Sequence, residues 1–201
     1  MRSLKIFLAF ILTLGMGFSL GATEKWDDSL YKLASPYKKV FSKYTKKGAK
    51  YSFGELTTVY KAFVTYHSPE FLQAVNKEFT KLYPDGPSTY AEVLKVGLEA
   101  PGQTEFFIGL YARDRGLRKL SGKKSLWELS LLVGKEVIHP LSVEEVKLTT
   151  FHYKFYPYLT RKWFTGYRVV FPFDHKNSPQ KEMTLVLSTV RGSERMEFPL
   201  Q

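Results

Sequence analysis

The chain has 201 residues, with 30 Lys or Arg against 19 Asp or Glu, a formal net charge of +11. It has no cysteine, which excludes disulfides, thiolate metal sites and cysteine nucleophiles. The charge bears on partners and solubility rather than on fold, and favours anionic polymers, anionic lipid head groups or an acidic protein.

The first 22 residues read as a secretory signal peptide. Arg2 and Lys5 form a short positive region, Ile6 to Leu14 an apolar run, and Ser19, Gly21 and Ala22 a small-residue cleavage site. The expected location is periplasmic or secreted. The alternative is an uncleaved N-terminal helix acting as an anchor. Arg2 and Lys5 are the only charged residues in this segment, so its removal lowers the charge by two, from +11 to +9.

Residues 23–48 carry an apolar stripe of helical spacing: Trp26, Leu30, Leu33, Tyr37, Phe41 and Tyr44. Ser35-Pro36 interrupts it and can start a second helix. Lys46 and Lys47 suit its last turn, and Gly48 suits its C-terminal cap. Residues 54–67 fit both periods and are assigned to helix on their helical neighbours. Ser68-Pro69-Glu70 opens a clearer helix, with Phe71, Val75, Phe79 and Leu82 on one face. Pro84-Asp85-Gly86-Pro87 ends it. Thr89 and Glu92 resemble a capping box for a short helix up to Val96.

After Ala100-Pro101-Gly102 the period changes to two. The expected strands are 104–112, 126–133, 135–139, 145–151, 166–173, 183–190 and 194–199. Trp127, Leu129, Leu131 and Val133 share the buried face of one strand. Gly134-Lys135 and Arg191-Gly192-Ser193 supply turns. The resulting fold class is α+β: a small N-terminal helical domain over 23–100, then a C-terminal antiparallel β-sandwich of immunoglobulin-like type over 103–201. The likeness is architectural, since the Cys…Trp…Cys signature is absent.

Catalytic motifs are scarce. His67, His139, His152 and His175 lack metal-ligand spacing, and Glu144-Glu145 on a strand would point to opposite faces. Gly116–Lys124 fails as a phosphate loop and reads as a basic loop between strands. No catalytic residue, metal site or cofactor is assigned. Two surface features remain. Lysines crowd 38–50, and Arg113, Arg115, Arg118, Lys119, Lys123 and Lys124 crowd the loop after the first C-terminal strand. The aromatic segment 151–164 mixes rings with cations, a combination that stacks sugars and holds anions. Pro157 breaks any strand there. Tyr156, Tyr158, Arg161, Lys162 and Trp163 are therefore expected to border a contact surface.

The functional expectation is an exported, non-catalytic binding or accessory protein of the cell envelope. Its partner would be an envelope protein, a glycan or an anionic surface, with peripheral membrane contact allowed and no specific nucleic acid. The alternatives are a hydrolase-type enzyme whose carboxylates converge only in the fold, or a structural subunit of an envelope assembly.

Overall fold

The computed structural model describes residues 35–84, 102–159 and 163–200. The leader, the first half of the N-terminal stripe, the short helix near Thr89, and Arg161 and Lys162 lie outside the described residues. The described chain runs α1 (Ser35–Tyr44), β1 (Thr45–Ser52), β2 (Thr57–Tyr66), α2 (Pro69–Leu82), β3 (Thr104–Ala112), β4 (Trp127–Val133), β5 (Glu136–Ile138), β6 (Ser142–Val146), α3 (Thr150–Phe155), β7 (Thr165–Phe171), β8 (Glu182–Thr189) and β9 (Gly192–Pro199). The strands form two antiparallel sheets, in the orders β1-β2-β3-β7-β6 and β5-β4-β8-β9. The fold is mostly β and sandwich-like, with few helices. Among the described residues no helix is long and apolar enough to cross a membrane.

Alternation along each strand builds three layers. In β2, Tyr60, Ala62, Val64 and Tyr66 are buried toward the four-stranded sheet. Tyr60 meets Trp127 edge-on at 5.0 Å, and Tyr66 and Phe106 both meet Phe198. The intervening residues face the other way, toward α1, α2 and α3. There Phe41 and Phe63 contact Tyr158, and Phe107 contacts Tyr156. Apolar rings thus fill both sides of the five-stranded sheet, where side chains of both faces are removed from water.

Several expectations hold. Ser68 caps α2, its hydroxyl accepting from the Phe71 amide at 3.1 Å. Trp127 is buried, and its indole N–H donates to the Leu117 carbonyl at 2.8 Å. Gly134 takes a φ of +60° in the turn between β4 and β5, which suits a residue without Cβ.

Others are corrected. Residues 57–66 are a strand, not a helix. Their β-branched and aromatic residues find partners on both edges, β1 on one side and β3 on the other. Lys46, Lys47 and Gly48 belong to β1 rather than to a helix end. Gly48 serves close packing: a Cβ there would stand 2.7–2.9 Å from the side chains of Glu194 and Met196. The described part of 23–100 is accordingly not all helical. β2 pairs with β3 across the expected boundary, and one buried core includes residues from both sides of it. The strand expected at 145–151 lies at Ser142–Val146, and the chain turns into α3 at Thr150.

Lettering the seven strands after residue 103 from A to G gives A-E-D in one sheet and C-B-F-G in the other. An immunoglobulin constant domain has A-B-E-D and C-F-G. The likeness is one of layers, since here the second strand stands in the opposite sheet.

Candidate binding surface

The aromatic segment is built as a clasp across the outer face of the five-stranded sheet. Thr149 starts α3, its backbone N–H donating to Nδ1 of His152 at 3.1 Å. The helix lasts only to Phe155, and Pro157–Leu159 follows as a single 3-10 turn. The clasp can lie this close because two glycines stand opposite each other beneath it, Gly109 in β3 and Gly166 in β7. A Cβ at Gly109 would sit 2.7 Å from the Tyr158 ring, and one at Gly166 would sit 2.6 Å from Leu148. Glycine within a strand commonly marks such an approach.

This geometry corrects two of the expected contact residues. Tyr156 and Tyr158 are buried, at 1% and 7% exposure. The Tyr158 ring stacks on Phe63 at 4.7 Å, and its hydroxyl lies 3.1 Å from that of Thr65. Burial pushes the Tyr158 phenol well above its ordinary pKa. Tyr156 stacks on Phe107 at 4.2 Å. The Tyr37 hydroxyl donates to the Phe155 carbonyl at 2.8 Å, tying the clasp to α1. An irregular segment buries these rings because the glycine trough receives them and each polar end finds a partner. Trp163 does remain outside, at 72% exposure.

The clasp also seals a polar chain that the sequence does not announce. His67 Nδ1 lies 2.8 Å from Glu105, the other Glu105 oxygen accepts from Arg168 Nε at 2.6 Å, and the Tyr156 hydroxyl lies 2.8 Å from His67 Nε2. Burial would raise the Glu105 pKa. The hydrogen bonds and charges of His67 and Arg168 outweigh it and hold the carboxyl below the usual range. An ionised carboxylate only accepts, so His67 Nδ1 donates to it. Both ring nitrogens are engaged inside the protein. Glu144 also approaches Arg168, at 3.8 Å. The carboxylates that converge here do so on a guanidinium, an arrangement that neutralises them and pins the clasp to the sheet. Among the described residues no group of three His, Asp or Glu side chains is placed to hold a metal ion.

Beyond the clasp the outer face opens. Along β2, Thr65 is fully buried, while Phe63 and Lys61 are half-buried. Lys47 Nζ lies 5.9 Å over the Phe63 ring, and Lys61 Nζ 5.8 Å over Tyr51. Burial first, and then the Lys61 charge, lower the Lys47 pKa. Phe164 packs between Phe63 and Tyr111 and carries the exposed Trp163 to this edge. Lys47 belongs to the lysine cluster over 38–50 that the sequence shows, whereas Lys61, Tyr51 and Phe63 were not identified as part of a surface from the sequence. Their signal was the strand period of 57–66, which places Lys61 and Phe63 on one face.

Neither a protein-family model, nor a curated protein, nor a solved structure matches this chain.

Proposed function

We propose that this is an exported, non-catalytic binding protein of the cell envelope. It engages an anionic partner through the open part of its outer face, to which Trp163 is adjacent; Arg161 and Lys162 precede Trp163 in the sequence. The observation that carries this reading is the Lys47–Lys61 pair. Lys47 Nζ lies over the Phe63 ring and Lys61 Nζ over the Tyr51 ring, and burial first, then the Lys61 charge, disfavour the charge on Lys47. An anion placed against them relieves that repulsion, and flanking rings add stacking and cation–π attraction. The leader-like N-terminus supports export. The two-sheet frame supports the finer comparison with immunoglobulin-like modules, which also present loops for binding from a rigid sandwich, though it does so in a strand order of its own.

The test is affinity capture from envelope extracts at low and high salt. Arg161→Ala with Lys162→Ala, and Lys47→Ala with Lys61→Ala, should each weaken capture at low salt while leaving the melting temperature nearly unchanged. Salt should weaken the wild type likewise, because exposed charges are screened over about 8 Å at physiological ionic strength. Undiminished capture by both double variants would remove this surface from the function.

A further inference from the structure

The four most exposed large apolar side chains among the described residues are Phe53, Leu56, Val190 and Trp163, at 90%, 89%, 83% and 72%. They come from three separate stretches of chain, yet the register gathers them at one end of the molecule. Phe53 and Leu56 form the tip between β1 and β2. Tyr60, near the start of β2, pairs with Ala112 at the end of β3. Trp127 opens β4 against the Tyr60 ring. Gly192 opens β9 beside the Tyr60 hydroxyl and the Lys50 side chain, which brings Val190 to the same end. Thr165 pairs with Leu110 near the end of β3, so Trp163, two residues earlier, extends toward that end as well.

The same end carries the basic loop between β3 and β4. Lys50, Arg115, Lys119, Lys123, Lys124 and Arg191 are all exposed there. The two acidic residues on these tip loops are already engaged. Glu55 pairs with Arg113 at 2.7 Å, and Asp114 accepts from the Gly116 amide at 2.8 Å. Leu56 has a φ of +47°, a left-handed conformation that is an outlier for a bulky residue outside Gly, Asn or Asp. The turn therefore accepts backbone strain and still presents leucine to water.

We infer that this end is a membrane-docking end, whose occupant is the surface of an anionic lipid bilayer. Phe53, Leu56, Val190 and Trp163 enter the interfacial layer, and the surrounding lysines and arginines meet the head-group phosphates. Apolar side chains borne on protruding loops and ringed by cations match a surface that offers hydrocarbon beneath negative charge. A soluble polyanion is drawn by the cations equally well but gains nothing from Phe53, Leu56 and Val190. Each cation near such a surface contributes about fivefold in affinity. The inference rests on the binding reading above and names the anionic surface.

The test uses protein recovered after export, so that the leader contributes no lipid affinity. Its sedimentation is measured with phosphatidylcholine vesicles, with vesicles also containing phosphatidylglycerol, and on dextran sulfate beads. The wild type should bind the phosphatidylglycerol vesicles and the beads, and phosphatidylcholine vesicles far less. Phe53→Ser with Leu56→Ser should lose about tenfold on the anionic vesicles and nothing on the beads. Lys123→Glu with Lys124→Glu should lose on both. Equal binding to the two kinds of vesicle, or a Phe53/Leu56 variant that binds vesicles like wild type, overturns the lipid assignment. Binding to beads with none to vesicles overturns it too, yet leaves the anionic-partner reading standing. Binding to neither sinks both. All four substituted side chains are exposed, and unchanged melting curves would verify that the variants are folded.

Discussion

The clasp and the hairpin end use the same kinds of residue to opposite effect. In the clasp, Phe155, Tyr156, Tyr158 and Leu159 are buried, and the hydroxyls of both tyrosines are hydrogen-bonded. At the hairpin end, Phe53, Leu56 and Val190 are almost fully exposed. Aromatic density therefore does not by itself mark a binding surface. What separates the two regions is the shape of the backbone beneath. Gly109 and Gly166 leave a trough that receives rings, whereas a strand-to-strand turn holds its side chains in water.

The largest test of this contrast sets two tryptophans against each other. Trp127 and Trp163 lie toward the same end, but Trp127 is 7% exposed and Trp163 72%. Trp127→Ala should destabilise by roughly 3–5 kcal/mol through lost burial and the cavity left behind. Trp163→Ala should stay within about 0.5 kcal/mol, as surface changes do. Chemical denaturation of both variants checks this, and comparable losses would erase the distinction between buried and exposed ends.

The polar chain under the clasp gives the next largest effect. Glu105→Gln keeps a hydrogen-bonding group but removes the charge between His67 and Arg168. Hydrogen bonds to charged groups contribute about 1.5–3 kcal/mol, so the variant should lose about that much at neutral pH. The pH dependence has a definite sign. The folded-state pKa of Glu105 is depressed, so its contribution is present above the unfolded carboxylate pKa of about 4.3 and is lost as pH falls through the lower folded value. Melting temperatures between neutral pH and pH 3 should drop more steeply in the wild type than in the variant. Parallel curves would mean that Glu105 carries no linked proton.

Gly109→Ala probes the trough itself. Its new methyl would meet the Tyr158 ring at 2.7 Å, and overpacking of this kind costs about 1–3 kcal/mol. The equivalent change at Gly54, where nothing lies within 4 Å, should leave the clasp untouched. A Gly109 variant as stable as wild type would show that the clasp lifts at no cost.

Much of the fold was legible in the sequence because strand alternation survives wherever one face is buried. β3 lies at Thr104–Ala112 as the period predicts, and Trp127, Leu129, Leu131 and Val133 face inward together. The central error at 57–66 came from a strand buried on one face and half-buried on the other, whose pattern blurs toward the helical one. The candidate site was legible only in part. Trp163 is exposed as expected, whereas Tyr158 is drawn inside over Gly109, 49 positions away, and Tyr156 by stacking on Phe107. His67, Glu105 and Arg168 are separated by 38 and 63 residues, and no local pattern joins such positions. The apolar tip did leave a local trace: Phe53 and Leu56 flank Gly54-Glu55 where turn chemistry favours polar residues.

The smallest predicted effect reverses sign, and it separates stability from function at the hairpin end. Leu56 stands at a φ of +47° with 89% of its surface in water, so it contributes little burial while holding a left-handed backbone. Asparagine adopts that conformation more readily, because its short side chain bonds locally to the backbone. Leu56→Asn should therefore raise stability, by about 0.5 kcal/mol. It should at the same time weaken sedimentation with anionic vesicles, since the apolar group that enters the bilayer is gone. A gain in stability coupled to a loss of docking is the trade expected where a site is kept for function rather than for folding. A variant that melts lower than wild type would mean that Leu56 makes stabilising contacts at the tip, and the case for a side chain held out for a membrane would lose its energetic basis.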